Sequence, residues 1–281
     1  MRIRTFSSAL VLMLAVLVGC SGGGRITHQS AEQAFQKGKT AFQNEDYSDA
    51  IDYFRAVFQY GRGNQYAADA QYFLGASYRE QERYLLAANE FKRFLQLYRN
   101  NERAPQVEFE RALMYYRLSP HYKLDQSDTQ SAISYFQLFI ERHPGHELVP
   151  KAREHIQTLR SKLAHKKYAA AELYETREMW RAATETYKGI FDQYPDTPWA
   201  DDALLGTIRS YIEYADRSVQ SKQDDRLQKA IDTYNRLAQV FPESPLLNEA
   251  EALYSEARSK LADMQQGESL ATEEASGGSG N

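Results

Sequence analysis

Residues 67–91 read AADAQYFLGASYREQERYLLAANEF. Apolar residues recur at helical spacing in two segments of about a dozen residues, split by a polar turn. Counted as one repeat, Leu74 and Gly75 stand at positions 7 and 8, Tyr78 at 11, Ala87 at 20 and Phe91 at 24. Positions 8 and 20 are where paired helices approach most closely, so only Gly or Ala fits. The aromatic at 24 fills the gap toward the next repeat.

The same frame recurs along the chain. Gly38, Ala50 and Phe54 form an earlier copy; Ala112, Tyr115, Ala132, Phe136 and Pro144 form the third. Ala171, Tyr174, Ala183, Tyr187 and Pro195 form the fourth, and Leu205, Gly206, Ala230, Tyr234 and Pro242 the fifth. This is the tetratricopeptide pattern. It predicts an all-α tetratricopeptide-repeat solenoid of about five helix pairs plus a C-terminal capping helix over 244–264, with Ser244 as N-cap and Pro245 at its first position. The repeats are unevenly spaced. Two polar inserts, HYKLDQSDTQ at 121–130 in the third and ADRSVQSKQDDR at 215–226 in the fifth, read as loops or helix extensions at hairpin tips.

Ahead of the repeats lies MRIRTFSSALVLMLAVLVGC. Arg2 and Arg4 precede an apolar run too short for an ordinary membrane span, and small residues lead into Cys20, the sole cysteine. Leu17-Val18-Gly19-Cys20 resembles the bacterial lipobox, which implies cleavage before Cys20 and lipid attachment to its thiol. Ser21 stands where an aspartate often marks inner-membrane retention in this class, which favours the outer membrane. The expected organisation is a signal peptide over 1–19, a flexible tether over 20–30, repeats 1–3 over 31–145, repeats 4–5 and the capping helix over 146–265, and a disordered Gly/Ser/Glu-rich tail over 266–281.

Composition narrows the function. The net charge is −4, with no basic stripe, which argues against a nucleic-acid partner. One cysteine already assigned leaves no thiol nucleophile and no multi-cysteine zinc site. Among the histidines, His143-Pro-Gly-His146 comes nearest to a metal motif, and no third ligand is suggested nearby. There is no phosphate loop, no nucleophile elbow and no carboxylate pair marked as acid and base. The chain reads as a non-enzymatic scaffold with no metal site and no cofactor.

Repeats of this kind offer the surface of their first helices. Position 5 gives Phe35, Tyr72, Phe109 and Tyr168; position 12 gives Phe42, Arg79 and Tyr116; Lys39 and Arg117 lie close by. Such an aromatic ladder with three cations suits an extended peptide with aromatic side chains. The alternative is that these rings pack between neighbouring helices.

Residues 166–199, KKYAAAELYETREMWRAATETYKGIFDQYPDTPW, and 115–137, YYRLSPHYKLDQSDTQSAISYFQ, resemble the BamD family, lipoproteins of the outer-membrane β-barrel assembly machinery. The similarity spans about 31–263. It implies anchoring at the periplasmic face of the outer membrane, binding of the POTRA region of BamA by the C-terminal repeats, and reception of unfolded outer-membrane proteins by the N-terminal ones. Gly61 and Arg99 stand where the family often has Tyr-Pro. Thr186, with Lys188 two residues on, stands where well-known members carry an arginine implicated in the BamA contact. Another tetratricopeptide lipoprotein, a secretin pilotin or a regulator of peptidoglycan enzymes, is the competing reading.

Overall fold

A computed structural model describes residues 27–277, with side chains through Gly267. Cys20, the leader and most of the tether lie outside the described residues. Those described form eleven α-helices and no strand. They are α1 (Ala31–Gln43), α2 (Tyr47–Val57), α3 (Ala67–Glu80), α4 (Tyr84–Leu97), α5 (Ala104–Leu118), α6 (Ser127–Arg142), α7 (Val149–Thr176), α8 (Trp180–Gln193), α9 (Ala200–Asp216), α10 (Gln220–Val240) and α11 (Leu247–Gly277). The chain divides into two compact units, with the border between Tyr98 and Arg99. The boundary expected at 145/146 falls inside the second unit, where α6 packs on α7.

Close approach explains the glycines. A Cβ added at Gly38 would lie 2.8 Å from the ring of Phe54, and one at Gly75 would lie 2.6 Å from the ring of Phe91. Each ring lies over the small residue of its own repeat, and Phe54 also stacks on Phe73 of the next, centroids 5.5 Å apart. In the fifth repeat the partner changes: the ring over Gly206, at 2.8 Å, is Tyr187 of the fourth repeat.

Turns follow two designs. Glu45, Glu82 and Glu178 adopt left-handed φ values of 63°, 57° and 55° at the tight tips of repeats 1, 2 and 4. In each, the next residue's N–H reaches back five positions, as Asp46 N does to Ala41 O, which closes the first helix with a Schellman-type turn. The inserts behave differently from one another. Ser119–Gln126 is a loop, whereas most of 215–226 is helical, lengthening α9 and α10. Pro144, Pro195 and Pro242 each stand two residues past the end of α6, α8 and α10. Gly61 replaces such a proline after α2, ending a short 3-10 turn with φ 92°.

Three expectations need correction. The extra length between repeats 3 and 4 also sits in α7, whose 28 residues serve two neighbours: Val149 and Ala152 join the cluster of α5 and α6, while Ala164 and Ala171 join that of α8 and α9. The last helix starts at Leu247, not at Pro245, because Ser244 is used in a turn: its Oγ accepts from Leu246 N at 3.2 Å and donates to Asp201 at 2.8 Å. That helix also continues through 266–277, where disorder was expected. Apart from Gly267, the terminal Gly277 and three hydroxyl residues, this stretch is built of good helix formers.

His155 on α7 is buried against the rings of Tyr116, at 4.3 Å, and Phe136, at 5.2 Å. Burial, then the charge of Lys151, pushes its pKa below the ordinary 6.5. The neutral ring's contribution is therefore full above pH 6.5 and is lost as pH falls through the depressed folded value. Urea midpoints should fall between pH 7.5 and 5.5, and His155→Phe should fall less. Parallel curves for the two proteins would contradict this.

Candidate functional site

The first unit holds five of the candidate ladder residues, and its interior takes most of their rings. Phe35 is only 6% exposed, with its ring 5.5 Å from Tyr66 and 6.0 Å from Phe54. Tyr72 is 8% exposed, 5.3 Å from Phe73 and 6.1 Å from Phe91. Phe42 is half-buried between Tyr47 and Phe73, both at 5.5 Å. Lys39 reaches over Phe35, with Nζ 6.0 Å from the ring centre. Arg79 donates from Nε and Nη2 to Glu80 Oε1 at 2.9 and 2.7 Å.

Phe109, Tyr116 and Arg117 belong to the second unit. Phe109 is 6% exposed among Phe136, Phe139 and His155; Tyr116 lies against His155; Arg117 is exposed. Tyr168 packs on Tyr187 at 5.4 Å and Trp199 at 5.2 Å, and burial, followed by the charges of Asp202 and Glu172, raises its pKa to about 12. Position 5 is thus a packing position in this chain. A ring there points between helices, and the spacing that places it on the first helix does not reveal that. The groups left near solvent are Lys39, Phe42 and Arg79 in one unit, and Tyr116 and Arg117 in the other.

The C-terminal repeats contain a polar network that sequence reasoning missed. Tyr187 donates its hydroxyl proton to Glu175 Oε2 at 2.8 Å. Arg209 donates to Glu175 Oε1 at 3.2 Å and to Glu249 Oε1 at 2.9 Å. One chain of contacts therefore ties α7, α8, α9 and α11. Burial, then the bond to Glu175, raises the Tyr187 pKa, so the phenol stays protonated. Nothing in the linear pattern marks these partners, which come from four helices.

Thr186 does not offer its hydroxyl outward; its Oγ1 donates to Ala182 O at 2.7 Å. Lys188 is exposed and borders a groove of about 200 Å³ with Lys229 and Arg236, floored by Phe191 and Tyr211. His143 and His146 are separately engaged: His143 Nε2 lies 3.3 Å from Glu108 Oε2, and His146 Nδ1 accepts from Leu148 N at 3.1 Å. Among the described residues, no helix is long and apolar enough to cross a membrane.

Residues 27–225 match the model of the YfiO family, described as outer membrane lipoprotein. The outer membrane protein assembly factor BamD of Pasteurella multocida is 25% identical over 214 residues, covering 72% of this chain and 82% of that protein. Its counterpart in Haemophilus influenzae is 25% identical over 217 residues, covering 73% and 82%. Among solved structures, a TPR repeats protein from Bacteroides fragilis is similar over 83% of this chain and 100% of that one, with 15% identity and a TM-score of 0.46.

Proposed function

Because the chain belongs to the YfiO family of outer membrane lipoproteins, we propose that it is a lipid-anchored periplasmic scaffold of the outer-membrane β-barrel assembly machinery. The match over 27–225 carries this reading, and the BamD relatives name the process. Lipidation at Cys20 holds the scaffold on the periplasmic face of the outer membrane. The C-terminal repeats bind the POTRA region of a BamA-type barrel protein. The network of Tyr187, Glu175, Arg209 and Glu249 supports that role by holding the helices of those repeats in one arrangement. The N-terminal repeats receive unfolded outer-membrane proteins. Of the ladder residues in the first unit, Lys39, Phe42 and Arg79 would make that contact; their part-exposed side chains support this reading, while Phe35 and Tyr72 are packed inside. The scaffold does no chemistry of its own.

Affinity purification from detergent-solubilised membranes tests this. The expected result is co-recovery of a β-barrel protein with POTRA domains. Repeated recovery of intact bait without one would overturn the proposal, and recovery of a secretin would favour the pilotin reading.

A further inference from the structure

The loop insert of the third repeat closes over α7 and leaves a hollow of about 440 Å³. Ser119 and Tyr122 come from the loop, Ser161, Lys162 and His165 from α7, and Trp199 from the residue before α9. Three rings form a continuous stack. Tyr122 lies on His165 at 3.8 Å, and His165 lies on Trp199 at 4.2 Å with only 9° between their planes. Lys162 donates to Ser119 Oγ at 2.7 Å and to Ser119 O at 3.3 Å.

The charge of Lys162 is unanswered. Its partners are neutral oxygens, and no carboxylate pairs with it among the described residues. Burial lowers its pKa, and no neighbouring anion acts to raise it. The hollow has no acidic lining residue. In a chain with net charge −4 this is unusual. Other hollows of the second unit carry Glu178 and Glu185, or Asp232, or Glu141 and Asp196. An ammonium has three N–H groups, so two bonds to Ser119 leave one for a ligand. A single cation beside stacked rings matches a singly charged carboxylate on an apolar segment better than a phosphate dianion, which draws several donors.

We propose that this hollow binds an acidic peptide segment, its carboxylate on Lys162 and an adjoining apolar side chain on the rings of Trp199 and Tyr122. The site is separate from the ladder residues and does not depend on them.

Trp199 supplies the readout. In the full-length protein, Trp180→Phe leaves it as the sole tryptophan, the chain having 2. The probes are acetyl-Leu-Glu-Leu-amide, its glutamine counterpart and inorganic phosphate. A saturable change in Trp199 fluorescence is expected with the glutamate peptide. Binding of the glutamine peptide should be weaker by about tenfold or more, as for loss of a charge-assisted bond. Lys162→Gln should abolish the response, but it also removes the contact that pins the loop. Thr158→Glu avoids that difficulty. Thr158 is exposed, one turn before Lys162, so the new carboxylate occupies the ammonium from within the helix. The variant should melt no lower than the parent and lose the peptide response. No saturable response to the glutamate peptide, equal binding of the glutamine peptide, undiminished binding in folded Thr158→Glu, or tighter binding of phosphate than of peptide would each overturn the proposal.

Discussion

Gly75→Val is expected to unfold the first unit at temperatures where the parent is fully folded. Gly75 lies on α3 beneath Phe91, and a Cβ there would lie 2.6 Å from one ring carbon and 2.8 Å from another. The ring has nowhere to go: Phe91 is fully buried, with Tyr72 alongside. Overpacking of this kind costs about 1–3 kcal/mol and occasionally more, and valine brings two further carbons into the same space. For a unit of this size, each kcal/mol moves the melting midpoint by about 4–8 °C. Gly75→Ala should therefore melt about 4 °C or more below the parent, with Gly75→Val lower still or unfolded. Gly189→Ala is the control. It lies inside α8, its Cβ would meet only Gln193 Nε2 at 3.9 Å, and its loss of backbone freedom should make it neutral or stabilising. Melting followed by far-UV circular dichroism reads all three. A Gly75→Val midpoint equal to the parent's would show that close approach is not what requires the glycine.

The second large effect is expected at Tyr187. Its side chain is 1% exposed, lies over Gly206, and touches Tyr168. Truncation to alanine removes the body that joins repeats 4 and 5 and should cost about 3–5 kcal/mol. Spread over the second unit, that lowers the midpoint by about 10 °C. Tyr187→Phe keeps the ring and loses only the bond to Glu175 Oε2. Because Arg209 still engages Glu175, the expected cost is about 1 kcal/mol. Thermal and urea denaturation of both variants distinguish the terms. If phenylalanine were as damaging as alanine, the hydroxyl would dominate, and the packing account of the junction would fail.

These two sites also show how far the residue pattern carries. Gly75 is read in advance as a position that admits only a small residue, whereas Phe91, expected to fill the gap toward the next repeat, covers Gly75 of its own. That contact holds in repeats 1 and 2; in repeat 5, Gly206 meets the ring of the preceding repeat instead. Helical spacing says which face a residue occupies but not which neighbour covers it. This is why Phe35, Tyr72 and Phe109 read either as a ladder or as packing between helices, and they are packed inside. Ser244 carried the signal of an N-cap, yet Asp201 engages its hydroxyl from another helix. The Glu175–Arg209–Glu249 network and the Lys162 hollow depend on residues brought together from separate helices and a loop, and no local rule connects them.

The unbroken α7 has a mechanical consequence. Twenty-eight residues at about 1.5 Å rise make a rod of about 42 Å. One end seats His155 among Phe109, Tyr116 and Phe136, and the other carries Tyr168 and Glu175. Separate repeats joined by turns can yield to a load one at a time. Here repeats 3 and 4 share a beam, so a push on its first turns arrives at its last turns as a tilt of the whole rod. A partner gripping either end would thereby set the angle of the other.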